Sequence, residues 1–164
     1  PCTTSINDVS SSMSAVPPLT HHICLVPYID SNHTFHFEPI YRDLRDGDTP
    51  LRIGRYTDRS TSTTKIGFKS KVLSRIHAEI WSENGKIYIK DTKSSSGTFL
   101  NHFRLCPAGS ESAPHQLKVG DIVQFGVNYQ GGFEDIYKCV KIRIEVGRDL
   151  QEEKIKDNTE TLER

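Results

Sequence analysis

Apolar residues along the chain come in short runs that alternate with polar positions. The runs are His21–Tyr28, Phe35–Phe37, Leu51–Arg55, Ile76–Trp81, Lys86–Asp91, Thr98–Leu100, Ile122–Val127 and Ile136–Val146. Two alternate cleanly. Ile76, Ala78 and Ile80 are expected on one face, with His77, Glu79 and Trp81 on the other. Ile142, Ile144 and Val146 alternate in the same way with Lys141, Arg143 and Glu145. A period of two with one polar face describes half-buried antiparallel strands. Asn84-Gly85 between two such runs reads as a tight hairpin, because both residue types accept positive φ. Asp46-Gly47-Asp48 and Val119-Gly120-Asp121 mark further turns. Short strands separated by turn residues predict an all-β, antiparallel sandwich or barrel.

The flanks differ. Residues 1–20 hold eight Ser/Thr and three prolines, a composition too polar to offset ordering entropy, so a flexible leader is expected there. A folded domain is expected over 21–147. From 148 to 164 the chain turns charged, with six acidic and three basic residues from Asp149 onward, and reads as a solvated tail or short helix. Three connections, 56–73, 102–118 and 128–135, carry little strand signal and are the expected binding loops. The Ser60–Thr64 hydroxyl run reads as a soluble loop. No initiator Met and no signal-peptide pattern are present, so a piece of a longer protein is expected.

Composition narrows the function classes. A chain of 164 residues buries about two thirds of its surface and needs no staples to fold. Its apolar runs, such as Ile23–Val26, stop at four or five residues, too short for a helical membrane span. The four cysteines are scattered and form no CxxC pair, so zinc ribbons and thioredoxin chemistry are not expected. Cys24 and Cys139 sit in apolar runs and read as buried free thiols, which favours the cytosol or nucleus. His21-His22 and His33-x-x-His36 do not present ligands to one ion on a strand, so neither metal nor cofactor is expected. Lys+Arg and Asp+Glu balance at 21 each, which excludes a protein coated in basic charge. The balance is uneven, however. Residues 52–75 hold Arg52, Arg55, Arg59, Lys65, Lys69, Lys71 and Arg75 against Asp58 alone, a local +6.

That basic stretch overlaps three blocks with a shared chemistry: Leu51-Arg52-Ile53-Gly54-Arg55, Leu73-Ser74-Arg75-Ile76-His77, and Ser94-Ser95-Ser96-Gly97-Thr98-Phe99-Leu100-Asn101. Arginine offers a bidentate fork, hydroxyls offer short donors, and glycine lets backbone approach, all suited to a tetrahedral oxyanion. The alternatives are a basic β module for nucleic acid or another acidic surface, and a hydrolase built on a Ser74–His77 pair. No aromatic interleaving of the single-strand-platform kind is visible in the basic run. No Gly-x-Ser-x-Gly elbow supports a hydrolase.

In order and spacing, the three blocks resemble the forkhead-associated (FHA) domain, over roughly residues 22–147. The Ser-Arg-x-His variant, the extended N-terminus and the 102–118 insert look most like the fungal Dma and Chfr-type FHA-RING ubiquitin ligases. The resemblance implies a β-sandwich of about eleven strands, with phosphothreonine-peptide binding by loops at one end. It implies that Arg55 and Ser74 hold the phosphate and that Arg75 contacts phosphate or peptide. Ser95 would reach the phosphate or the threonine, and Ser96 the peptide backbone. Gly54, His77, Gly97, Thr98 and Asn101 would frame the loops. Many members have Asn at position 96 and Gly at position 102, where this chain has Ser96 and His102. The resemblance further implies a non-enzymatic binding module that recruits phosphorylated proteins in cell-cycle or checkpoint control. Any ubiquitin-conjugating (E2) partner would meet only a RING, which this sequence does not contain.

Overall fold

The computed structural model describes residues 20–30, 34–57, 62–129 and 134–147. The expected leader, apart from Thr20, and the expected tail lie outside these residues, as do Cys2 and Arg59. Among these residues, eleven strands form two sheets. They are β1 (Thr20–Pro27), β2 (Ile40–Arg45), β3 (Leu51–Arg55), β4 (Lys65–Phe68), β5 (Ala78–Glu83), β6 (Lys86–Asp91), β7 (Thr98–Leu100), β8 (Phe103–Arg104), β9 (His115–Leu117), β10 (Ile122–Phe125) and β11 (Val140–Gly147). One sheet has the order β2-β1-β11-β10-β7-β8, and the other β4-β3-β5-β6-β9.

Ile23, Leu25, Leu44, Val123, Phe125, Ile142 and Ile144 from the first sheet meet Leu51, Ile53, Ile66, Ile80, Ile87 and Ile89 from the second in one buried core. Each such side chain contributes about 1.5–3 kcal/mol relative to exposure. The β5–β6 hairpin turns at Asn84 and Gly85, with φ of 53° and 76°, as the Asn-Gly pair predicts.

The all-β sandwich is as expected, with one strand pair that is not antiparallel. β3 and β4 pair in parallel, with Arg52 opposite Lys65 and Arg55 opposite Phe68. The connection between Arg55 and Lys65 is long enough to carry the chain back to the start of the strand, which a two-residue turn cannot do.

Several expected strands shift. Phe35–Phe37 form no strand; Phe35 and Phe37 instead set their rings edge-on to Phe68, at 6.3 and 4.9 Å between centroids. β2, β4, β8 and β9 arise where no strand was expected. β8 and β9 lie inside 102–118, and 135–137 is a 3₁₀ turn that precedes β11. Ile76 lies outside β5 and is exposed, whereas His77 is fully buried. The alternation therefore fails at Ile76 and His77, and the inward set is Ala78, Ile80 and Ser82. Cys139 is buried, but Cys24 is only half-buried, because it faces outward opposite Tyr41 of β2.

Candidate functional site

The ends of β3, β6 and β10 and the starts of β5 and β7 converge at one end of the sandwich. Gly54 determines how close they come. A Cβ at this position would lie 2.0 Å from the Arg75 carbonyl oxygen, so only glycine lets β3 pass beneath the 74–75 backbone. The next residue, Arg55, donates its backbone N–H to the Ser74 carbonyl at 2.9 Å. Its Nε–H donates to the Leu73 carbonyl at 3.1 Å. Two bonds thus aim a half-buried guanidinium, leaving its terminal nitrogens as the remaining donors.

The 94–97 loop is built on a buried carboxylate. Asp91 accepts from the Ser94 backbone N–H at 2.8 Å, from the Ser94 hydroxyl, and from the Thr98 hydroxyl at 2.7 Å. Ser94 Oγ in turn accepts from the Gly97 N–H at 3.0 Å. This closed set presents Ser95 and Ser96. The Ser95 N–H donates to Ser74 Oγ at 3.2 Å, and the two hydroxyl oxygens lie 3.4 Å apart. Ser96 donates its hydroxyl to the Val72 carbonyl. Gly126, at φ 78°, lies beneath it; a Cβ there would meet Ser96 Oγ at 3.0 Å.

His77 ties the two loops from below. Its Nε2–H donates to the Gly97 carbonyl at 2.8 Å, and its Nδ1 accepts from the Ser74 N–H at 3.1 Å. A carbonyl can only accept and an amide N–H only donate, so these partners select the neutral Nε2–H tautomer. Burial lowers the imidazole pKa below its ordinary value, although the Gly97 bond and the Asp91 charge oppose the shift.

Arg55, Ser74, Ser95 and Ser96 are therefore neighbours, with Gly54, His77, Gly97 and Thr98 supporting them. Arg75 is exposed beside Ser74. Asn101 stands at the far end of β7. There its side chain bridges Asp121 Oδ1 at 3.1 Å and the Ile122 N–H at 3.0 Å, so it braces β7 to the turn before β10. Asp91, Val72 and Gly126 were not singled out from sequence. Asp91-x-x-Ser94 is a side-chain-to-backbone turn pattern that could have suggested the first.

The basic run divides. Arg52 faces Glu79 at 3.8 Å on the outer face, and Lys69 lies over the Tyr56 ring. Lys71 extends over the Tyr137 ring at 5.9 Å. That ring pairs with Tyr129 at 5.4 Å. Lys71, Val72, Ser95, Ser96, Tyr129 and Tyr137 line an open cleft of about 670 Å³ continuous with the hydroxyl cluster. A larger groove of about 990 Å³, across β2 and residues 62–64, touches none of the expected site residues. Among the described residues, no three His, Cys, Asp or Glu side chains could hold a metal ion, and no helix is long and apolar enough to cross a membrane.

The FHA-domain family profile matches residues 51–126, the segment that holds all three blocks. The chain carries an FHA domain. E3 ubiquitin-protein ligase DMA2 of Saccharomyces cerevisiae is 45% identical over 155 residues, covering 87% of this chain and 30% of that protein. Probable E3 ubiquitin-protein ligase dma1 of Schizosaccharomyces pombe is 44% identical over 129 residues, covering 76% of this chain and 48% of that protein. The chain thus spans less than half the length of either relative. In fold, it superposes on the FHA domain of an Arabidopsis thaliana hypothetical protein with a TM-score of 0.56 at 23% identity, covering 82% of this chain and 94% of that one.

Proposed function

We propose that this FHA domain binds a phosphothreonine peptide at its loop end and thereby recruits phosphorylated proteins. One observation carries the reading. Arg55 is pinned through Nε to the Leu73 carbonyl, beside the Ser74 and Ser95 hydroxyls. A phosphate carries roughly −1.5 to −2 charges near neutral pH and three acceptor oxygens. The terminal guanidinium nitrogens would take two oxygens as a fork. The Ser74 hydroxyl, whose oxygen already accepts from Ser95, still has a proton to donate to the phosphate. Arg75 and Lys71 would add charge at the rim, and the tyrosine-walled cleft would receive a peptide side chain next to the phosphothreonine. A preference for threonine over serine would rest on one methyl group, about 1–3 kcal/mol.

In the full-length protein, the domain would serve as the partner-recognition arm of a RING-type ubiquitin ligase acting in the cytosol or nucleus, in cell-cycle or checkpoint control. The similarity to the two yeast ligases supports that context. In this reading the domain binds only, and ubiquitin transfer with its E2 belongs to a RING elsewhere. The expected unit order is a leader over 1–20, the domain over 21–147 and a charged connection over 148–164.

The test is a degenerate phosphothreonine peptide library read by fluorescence anisotropy, with unphosphorylated peptides and Arg55→Ala as controls. Phosphorylation should be required, and Arg55→Ala should abolish binding while the domain stays folded. Equal affinity for phosphorylated and unphosphorylated peptides would overturn the proposal. If binding also fell steeply with salt, the domain would instead be a general acceptor of acidic surfaces or nucleic acid.

A further inference from the structure

Arg104 stands against Gly97, at the end of the 94–97 loop. Register places it across from Phe99 in the β7–β8 pair, so both side chains share the outer face. The guanidinium carbon lies 5.8 Å from the Phe99 ring centroid. Its Nε–H donates to the Cys106 carbonyl at 2.9 Å. The group also lies directly against Gly97. A Cβ at Gly97 would meet the guanidinium carbon and Nε at 3.0 Å and a terminal nitrogen at 3.2 Å. Gly97 sits at φ 96°, so the same glycine serves the loop's backbone and makes room for this side chain.

Arg104 is nonetheless exposed, and among the described residues no carboxylate pairs with it. Three other cations do have such partners: Lys90 with Glu111, Lys141 with Asp30, and Arg143 with Glu145. Only Arg55 repeats the Arg104 arrangement among the described residues, with Nε donating to a backbone carbonyl and no acidic partner. Such a pin orients the planar fork at low entropic cost and leaves its outer edge for an anion.

We propose that Arg104 is a specificity-determining residue that takes a second anionic side chain of the bound peptide. This rests on the phosphopeptide reading above. Two Cα–Cα steps of about 3.8 Å separate Gly97 from Ser95, so the fork lies within about 12 Å of Ser95. An extended peptide advances about 3.3 Å per residue, which puts the second anion within about three residues of the phosphothreonine. A carboxylate or a second phosphate would satisfy the same fork.

The experiment is fluorescence anisotropy on phosphothreonine peptides with alanine flanks. Glu or phosphoserine replaces one alanine at a time within three positions on either side. For the wild-type chain, Glu at one position should raise affinity about fivefold over Ala, as for a partly exposed charge pair. In Arg104→Gln the Glu-to-Ala affinity ratio at that position should fall to near one. Arg104→Lys should keep part of it, since charge persists without the fork. Phosphoserine exceeding Glu at that position would identify a second phosphate as the preferred anion. Each ratio is measured within one variant, so a partly unfolded preparation does not distort it. Equal ratios in wild type and Arg104→Gln at every position would overturn the assignment. Binding that ignores threonine phosphorylation would instead overturn the reading beneath it.

Discussion

The imidazole of His77 donates through Nε2–H to the carbonyl of Gly97 at 2.8 Å, and so fastens the 94–97 loop to the core. His77→Ala would leave the Ser74 N–H without its acceptor and open a cavity beneath both loops. Each orphaned buried group costs about 1–3 kcal/mol. With the cavity, a loss of about 3 kcal/mol is expected in urea unfolding.

The same histidine makes stability pH-dependent. Its folded pKa lies below the ordinary 6.5 because burial disfavours the cation. Below pH 6.5 the unfolded chain therefore binds a proton that the folded chain refuses, and stability falls as pH drops toward the folded value. Thermal midpoints should decline over that window, and His77→Ala should lack this part of the decline. Identical pH slopes for the two proteins would contradict the assignment.

Arg55 and Ser74 should separate in magnitude. Arg55→Ala removes two charge-assisted bonds of about 1.5–3 kcal/mol each, so phosphopeptide affinity should fall at least roughly a hundredfold. Arg55→Lys should fail nearly as badly, because an ammonium cannot hold the Leu73 carbonyl and present a fork together. Ser74→Ala removes a neutral hydroxyl and should cost roughly two- to tenfold. Titrations that ranked Ser74→Ala as the worse variant would reverse these roles.

Gly54→Ala tests the strand crossing. A methyl group 2.0 Å from the Arg75 carbonyl oxygen forces β3 and the 74–75 segment apart. Overpacking against backbone is expected to cost about 3 kcal/mol or more and to take phosphopeptide binding with it. Wild-type stability in chemical denaturation would refute that crossing.

Tyr137→Ala opens one wall of the cleft and removes the ring beneath Lys71. The peptide library should then show a changed preference at one position near the phosphothreonine, while dependence on phosphorylation persists. An unchanged preference would place the peptide elsewhere.

Much of this architecture was legible in the chain. The Asn84-Gly85 turn, the alternation of Ile142 and Ile144, and the Gly54-Arg55, Ser74-x-x-His77 and Gly97-Thr98 blocks depend on local chemistry, which residue type and spacing report directly. β4 and β9, at four and three residues, are too short for periodicity to register. They exist because β3 and β6 offer them free edges. Alternation also placed His77 on the polar face. It is buried instead because Gly97 and Ser74 satisfy both ring nitrogens, and those partners lie 20 and three residues away.

The sequence by itself thus determined the all-β class, the tight turns and the residue types of the three blocks, because each follows from neighbours along the chain. Only the tertiary structure decided that Arg55 is pinned, that Asp91 closes the serine loop, that Asn101 stands apart and that Arg104 flanks the site. The reason is that hydrogen bonds and burial depend on distance in space, and the sheet pairings that bring these residues together or hold them apart are not encoded at any fixed spacing.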